Sequence, residues 1–140
     1  HMHRDPQTML EQSMEGDVLE PVKTFLSQQV SELKASGVQA NRIVLDPGIG
    51  FGKTLVQNLS LLQHQAEFLA LGYPLLAGWS RKGTLGKITA IKGQAPEAQD
   101  RIGASVAAAL IAVQNGASVV RVHDVKETVQ ALRVWQALKI

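Results

Sequence analysis

Apolar residues along the chain follow two spacings, one typical of amphipathic helices and the other of short buried strands. From Val18 to Leu33 they recur three or four positions apart, so they share one face of a helix. Pro21 fits the first turn of this helix and Gly37 ends it. Brief continuous apolar runs such as Ile43-Val44-Leu45 predict strands covered on both faces. The predicted helices cover residues 15–36, 58–71, 101–115 and 125–138, and the predicted strands cover residues 43–45, 75–78 and 118–122.

The order of these elements predicts an α/β fold in which right-handed crossovers join parallel strands. Three strands cannot close a barrel, and a complete (β/α)8 barrel needs roughly 250 residues. The chain has 140 residues. We therefore expect it to supply only the last three strands of a (β/α)8 TIM barrel, with their helices, rather than a complete small domain.

Several helix boundaries have local signals. Asn58 is predicted to cap the second helix, which ends at Gly72. Asp100 is predicted to open the Ala-rich third helix, which ends at Gly116. Residues 79–100 lie between the second predicted strand and the third predicted helix. They contain several glycines and a proline, which predicts a short helix and a loop.

Composition narrows the class of protein. Hydrophobic residues make up 45% of the chain and charged residues 19%, as in globular domains. The 14 Lys and Arg nearly balance the 12 Asp and Glu, and aromatics are only 4%, which does not favour nucleic-acid binding. Cysteine is absent, which suits a reducing compartment. No apolar run reaches the roughly 20 residues of a membrane helix, so we expect a cytoplasmic protein without nucleic-acid or membrane partners.

Polar residues follow each predicted strand at the point where it ends. Asp46 and the glycine-rich loop 48–54 follow the first strand, the segment 79–82 follows the second, and His123 follows the third. The carboxyl ends of parallel strands meet at one edge of a sheet, where α/β proteins bind ligands. We therefore predict one site for an anion and a heterocycle at this edge.

Asp46 has two interpretations. Its carboxylate can accept two parallel hydrogen bonds from an amidine-like edge such as that of a pterin, or it can cap the Asp-Pro-Gly turn that follows. The loop GIGFGKT partly matches a nucleotide P-loop, but the glycine required there falls on Pro47. Phe51, among glycines, is predicted to face a planar ligand, with a place in the core as the alternative.

Cations accumulate at the second strand end. Ser80, Arg81 and Lys82 offer a hydroxyl and two positive charges, which can hold a phosphate or help a pyrophosphate to leave. Solvated surface charge is the alternative interpretation. Trp79 and Trp135 are interpreted as packing residues, of which Trp79 is the better placed to touch a ligand.

The third strand carries a charge of its own. Arg121 lies within an apolar run, where a charge is costly unless it is paired or bound to a ligand. His123, two positions on, points to the same face of an extended segment. The two residues predict a diphosphate clamp, and the alternative is an ion pair of Arg121 with Asp46 or Asp124.

Three segments, LDPGIGFGKT, GWSRKG and RVHDVKET, resemble dihydropteroate synthase in order and spacing. The first residues, HMHRDPQTM, also resemble that family's segment at the end of barrel strand five. The resemblance covers the whole chain and about the C-terminal half of the enzyme. It implies that residues 1–140 are the C-terminal half of a pterin-binding (β/α)8 barrel, with no second domain.

The resemblance implies a binding role for each strand-end residue. Asp46 would grip the pterin, Gly78 would let the backbone approach the pterin ring, and Lys82 and Phe51 would contact it. Phe51, Ser80 and Lys82 would border p-aminobenzoate.

It also implies how the reaction proceeds. Arg121 and His123 would hold the departing pyrophosphate with Mg²⁺ assisting, and Lys82, Arg121 and His123 would be the catalytic residues. The enzyme joins 6-hydroxymethyl-7,8-dihydropterin pyrophosphate to p-aminobenzoate, giving 7,8-dihydropteroate and pyrophosphate. No metal ligands are expected in this chain, because the resemblance places them in the missing N-terminal half-barrel.

Partners and alternatives complete the expectation. The chain alone is expected to be inactive, to need the N-terminal half-barrel and to form a homodimer through its C-terminal helices. One alternative is another enzyme on the same barrel, such as a methyltetrahydrofolate methyltransferase. Another is a non-catalytic half-barrel that binds pterin.

Overall fold

The computed structural model describes residues 1–9 and 11–138. Helices and strands alternate along these residues, with short 3-10 helices between them. The α-helices are α1 (Leu19–Ala35), α2 (Leu55–Gln63), α3 (Gly83–Ile88), α4 (Ile102–Gln114) and α5 (Val125–Ala137), the strands are β1 (Leu75–Ala77) and β2 (Ala117–Val120), and the 3-10 helices are Ala40–Arg42, Gln65–Leu71 and Ala98–Asp100.

The two strands pair in parallel, as the alternation of elements predicts. Leu76 is in register with Val119, and Ala77 with Val120. The predicted strand 43–45 is reduced to a single parallel bridge between Leu45 and Leu75. Leu45 donates to the Pro74 carbonyl at 2.9 Å and accepts from Leu76 at 2.8 Å. Three chain segments therefore end side by side, with β1 in the middle.

One face of the strands is open in the part of the barrel that this chain supplies. Val44 is 49% exposed and Val119 is 43% exposed. The buried face packs on the helices through α1 and the 3-10 helix Gln65–Leu71, with Val22 and Phe68 fully buried. The open face leaves the strand ends accessible from one side.

The second helix begins earlier than its predicted cap. Thr54 precedes α2, and its side chain accepts from the Gln57 N–H at 3.2 Å while Gln57 Oε1 accepts from the Thr54 N–H at 2.9 Å. This reciprocal capping box satisfies two otherwise unpaired donors. Asn58 lies inside the helix, so the prediction that it caps the helix is wrong. The α-helix ends at Gln63 and not at Gly72; Gly72, with φ +80°, ends the 3-10 helix that follows.

The C-terminal elements follow their predicted bounds closely. Helix α4 starts two residues after Asp100 and ends just before Gly116, whose φ is +92°. No helix in the described residues is long and apolar enough to cross a membrane.

Candidate functional site

The loop after Leu45 is shaped by glycines. Gly48, Gly50 and Gly52 have φ of +77°, +81° and +72°, a region that side chains with a Cβ rarely adopt. Asp46 Oδ1 accepts from the Gly48 N–H at 2.8 Å, so the turn-capping interpretation of Asp46 is realised. Its other oxygen, Oδ2, lies 4.0 Å from the Arg121 guanidinium at the site. Capping the turn therefore leaves this second oxygen facing the strand ends.

Lys82 and Phe51 form one wall of the site. The Lys82 ammonium lies 4.7 Å from the centre of the Phe51 ring, within the range of a cation–π interaction. The same nitrogen donates to the Ile49 carbonyl. Burial lowers the pKa of Lys82 to about 8, with Asp46 opposing and Arg121 adding to that shift. Phe51 is half-buried at the mouth of the site, and not in the core.

Gly78 makes room for a cation. A Cβ at this position would lie 2.8 Å from an Arg121 guanidinium nitrogen, which is shorter than any relaxed contact. Arg121 itself is 59% exposed. The Arg121 guanidinium therefore lies directly over Gly78, and the approach of Gly78 to the pterin stays a prediction.

Arg81 lines the same cavity as Lys82 and is paired there with a carboxylate. Its Nε and NH2 atoms lie 3.1 Å and 2.5 Å from the two oxygens of Asp124, a bidentate pair. This contact raises the pKa of Arg81 and lowers the pKa of Asp124. Arg81 thus has a carboxylate partner of its own, and the phosphate cluster at residues 81–82 stays a prediction. Asp124 is not the partner of Arg121.

The backbone of Arg81 is fixed as well. Its φ is +59°, unusual for a residue with a side chain. The Ser105 hydroxyl accepts its N–H at 2.9 Å, and Arg101 donates to its carbonyl at 2.8 Å. Neither Ser105 nor Arg101 had a signal in the sequence beyond its place in the Ala-rich helix region.

Ser80 contacts His123 directly. The Ser80 hydroxyl accepts from the His123 backbone N–H at 3.1 Å and lies 3.0 Å from ring nitrogen Nδ1. Ser80 is 5% exposed. The structure therefore joins a residue predicted for p-aminobenzoate to one predicted for pyrophosphate.

Lys53 and Asn58 belong to the site although sequence reasoning gave them no role there. Lys53 is 8% exposed, and burial lowers its pKa to about 8. Asn58 is 1% exposed, and its Oδ1 accepts from the Gly50 N–H at 2.7 Å. The sequence signal that could have found them is their position just after three closely spaced glycines. A loop rich in glycine needs side chains from outside it to hold its conformation.

Two adjoining cavities share one lysine. One, of about 600 Å³, is lined by Arg121 and His123 and also by Lys82. The other, of about 280 Å³, is lined by Phe51 and Lys53 and again by Lys82. The first is lined by cationic side chains and the second by an aromatic ring, so Lys82 lies between a basic cavity and an aromatic one.

Metal ligands are sparse in this site. Over residues 1–9 and 11–138, no group of three or more His, Cys, Asp or Glu side chains could hold a metal ion. Asp46 is the carboxylate near the cavities, and Asp124 is engaged by Arg81. These residues do not by themselves fit a magnesium site.

A family comparison defines the class of protein. Residues 1–123 match the family model described as pterin binding enzyme. The chain therefore belongs to the family of pterin-binding enzymes.

Within that family, the chain is similar to dihydropteroate synthases. It is 47% identical to the enzyme of Neisseria meningitidis serogroup B, across 100% of this chain and 49% of that protein. The chain spans about half the length of the curated relatives it matches. The resemblance that the three motifs indicated is confirmed.

Solved structures agree. The dihydropteroate synthase of Stenotrophomonas maltophilia superimposes with a TM-score of 0.93 at 44% identity, covering 99% of this chain and 51% of that one. The dihydropteroate synthase of Xanthomonas albilineans in complex with 7,8-dihydropteroate superimposes with a TM-score of 0.85 at 39% identity. The superposition covers 99% of this chain and 48% of that one. The prediction of part of a (β/α)8 barrel is confirmed.

Proposed function

We propose that this chain is part of a dihydropteroate synthase, which joins 6-hydroxymethyl-7,8-dihydropterin pyrophosphate to p-aminobenzoate and releases pyrophosphate. The observation that carries the proposal is the position of Lys82 between an anion-binding cavity and an aryl cavity. This arrangement suits a reaction in which an anion leaves and an arylamine attacks at the same carbon. The dihydropteroate complex of the Xanthomonas albilineans enzyme supports it.

The pterin is assigned to Asp46 and Gly78, with Lys82 and Phe51 in contact. One Asp46 oxygen caps the Gly48 turn, which fixes the carboxylate and directs the other oxygen to the strand ends. A fixed carboxylate can accept hydrogen bonds from the amino and ring N–H groups of the pterin without losing side-chain entropy.

Pyrophosphate is assigned to Arg121 and His123. The bond from the pterin's exocyclic carbon to the pyrophosphate oxygen breaks with its electron pair going to oxygen. The electron-rich pterin ring stabilises the resulting carbocation. Arg121 and Lys82 stabilise the negative charge that grows on the departing group, which is the main way in which such a site accelerates the reaction.

The arylamine is assigned to Phe51, Ser80 and Lys82. Its nitrogen lone pair forms the new bond to the exocyclic carbon and then loses a proton to solvent. The side chains orient the ring, and no covalent enzyme intermediate is required. Lys82, Arg121 and His123 are thus the proposed catalytic residues.

The proposal extends to components outside the described residues. Mg²⁺ would be held mainly by the phosphates of the substrate and by the other half of the barrel, since this chain lacks a ligand cluster over the described residues. We also propose a homodimer through α4 and α5, a cytoplasmic location, and dependence of activity on the N-terminal half-barrel.

The test is pyrophosphate release that depends on p-aminobenzoate, measured with the complete protein. Lys82→Ala and Arg121→Ala should each lower turnover at least about tenfold, which is about 1.4 kcal/mol. Lys34→Ala, on the last turn of α1, is the matched control. Unchanged kinetics in both site variants would refute the assignment.

Two other functions remain separable by experiment. A methyltransferase on the same barrel would not be protected against heat by pyrophosphate, because a methyl donor has no pyrophosphate to release. A non-catalytic pterin-binding protein would bind pterin and form no product.

A further inference from the structure

Lys53 is a buried cation that the proposed reaction leaves without a function. Its ammonium donates to the Gly48 carbonyl at 2.8 Å and to the Phe51 carbonyl at 3.1 Å. Burying an ammonium is costly unless its protons are bonded. Both of these partners are backbone carbonyls of the same loop, so the hydrogen bonds of Lys53 stabilise the conformation of that loop.

Asn58 supports the loop from the other side. Its Oδ1 accepts from the Gly50 N–H at 2.7 Å, and its Nδ2 donates to the carbonyls of Lys53 at 3.1 Å and Thr54 at 2.8 Å. Because the capping box fixes the start of α2, these bonds tie the loop to a rigid helix end.

The loop needs such support because the backbone of its glycines can adopt many conformations. All three have positive φ, and glycine loses more conformational entropy on folding than any other residue. Phe51 is the aromatic residue between two of them, and its carbonyl is one of the two that Lys53 binds. Lys53 therefore binds the main chain from which the Phe51 side chain projects.

We propose that Lys53 is a positioning residue for the aryl subsite. By holding the carbonyls of Gly48 and Phe51, it keeps the Phe51 ring against the arylamine, and it does not itself touch the pterin or the pyrophosphate. The inference rests on the proposed function in naming p-aminobenzoate as the ligand of this subsite.

Kinetics of the complete protein test this role. Lys53→Met should raise the KM for p-aminobenzoate about tenfold, since small displacements of positioning groups have effects of this order. The Kd for the pterin substrate, measured by calorimetry without arylamine, should rise clearly less than this KM, by about threefold at most, because Asp46 and Gly78 hold the pterin and Phe51 only borders it. Lys53→Gln keeps an N–H donor but not the charge, so its KM for p-aminobenzoate should lie between those of wild type and Lys53→Met. Lys34→Met is the matched surface control.

A charge role predicts a different result. Lys53 lies within electrostatic reach of Asp46, so a lysine acting through its charge would lower pterin affinity when removed, and Gln would not restore it. Equal losses for both substrates, or a loss for pterin alone, would overturn the proposal.

A double-mutant cycle with Phe51→Ala adds a second criterion. If Lys53 acts through Phe51, adding Lys53→Met to Phe51→Ala should raise the KM for p-aminobenzoate less than about twofold further. Additive effects would overturn the proposal.

Hydrogen exchange tests the structural part without any turnover. Amides of residues 48–54 should exchange at least about tenfold faster in Lys53→Met than in wild type. Unchanged exchange would contradict the role of Lys53 in holding the loop. If the wild-type complete protein shows no p-aminobenzoate-dependent turnover, the proposed function and the aryl assignment both fall, and exchange alone decides whether Lys53 holds the loop.

Discussion

The two sides of the site are held by different kinds of interaction. In the glycine loop, residues 46–54, polar side chains bind backbone groups, as Lys53 and Asn58 do. At the strand-end junction, residues 80–82 and 121–124, side chains bind one another, as Arg81 and Asp124 do. Side-chain hydrogen bonds thus hold the backbone conformation of the loop, whereas an ion pair holds the charged side chains of the junction in place.

This difference predicts different sensitivities. A loop held through backbone hydrogen bonds loses its shape when one buried partner is removed, because the freed N–H or C=O has no water to replace it. A junction held by a partly exposed ion pair should respond to salt and acid. The following changes separate the two.

The largest expected effect is on the loop. Asn58→Leu removes the side-chain partner of the Gly50 N–H and of the Lys53 carbonyl, whereas the Thr54 carbonyl keeps its bond from the Asn58 backbone N–H. We expect the free energy of unfolding of the complete protein to fall by about 3 kcal/mol, measured by urea denaturation. Gln63→Leu, an exposed amide in the same helix, is the control. Sulfate binding by the folded variant should persist, and its loss would show that the two sides are not independent.

Removal of the junction carboxylate should have a smaller effect. Asp124→Asn breaks the bidentate pair with Arg81, whose side chain is 31% exposed, so we expect about 1 to 2 kcal/mol. Arg81 lowers the pKa of Asp124, so this stabilisation is present above the carboxyl's ordinary value of 3.8 and is lost as the pH falls through the folded value.

Salt and acid provide the check. The difference in unfolding free energy between wild type and Asp124→Asn should shrink at about 1 M NaCl and vanish in acid. Glu127→Gln, in the first turn of α5, serves as control. A difference that is independent of salt and pH would contradict an electrostatic junction.

Anion binding should weaken as Lys82 loses its proton. Because burial lowers the pKa of Lys82 to about 8, affinity for sulfate, whose charge is constant in this range, should fall about fivefold between about pH 7 and pH 9.5. Lys82→Arg keeps its charge and should flatten the profile, measured by calorimetry. A decline that persists in Lys82→Arg would assign it to Lys53, whose pKa is also about 8.

The smallest effect concerns Ser80. Its hydroxyl accepts from the His123 backbone N–H and lies 3.0 Å from Nδ1. We predict that it donates its own proton to Nδ1, so that neutral His123 carries its ring proton on Nε2. Nitrogen NMR of histidine-labelled protein should show this tautomer, and Ser80→Ala should give a mixture with less than about 1 kcal/mol of destabilisation. His64, which contacts Glu67, is the internal control. An unchanged tautomer in Ser80→Ala would refute the assignment.

Sequence reasoning reached the fold and the edge of the site because both follow from local signals. Helical spacing located α1, glycines marked the helix ends, and apolar runs placed β1 and β2 within a residue or two. The carboxyl-end rule then gathered Asp46, Lys82, Arg121 and His123 correctly at one edge.

Choices between competing partners could not be read from the chain. The sequence offered Asp46 or Asp124 as partners of Arg121, and in the structure Arg81 pairs with Asp124 while Arg121 lies 4.0 Å from Asp46. Thr54 outcompeted Asn58 as cap because Gln57 completes a reciprocal box. The burial of Trp79, 2% exposed, likewise removes it from ligand contact. These outcomes depend on tertiary packing, which spacing does not encode.

If both proposed ligands contact Lys82, which lines both cavities, their binding is coupled through the proton of this lysine. A bound anion favours its charged form, whereas an aromatic ligand that excludes water favours the neutral form. Each ligand therefore changes the other's affinity, by the same factor in both directions. Each ligand would then bind with uptake or release of a proton that depends on whether the other ligand is already bound. Calorimetry would detect this as a binding heat that varies with the ionisation enthalpy of the buffer.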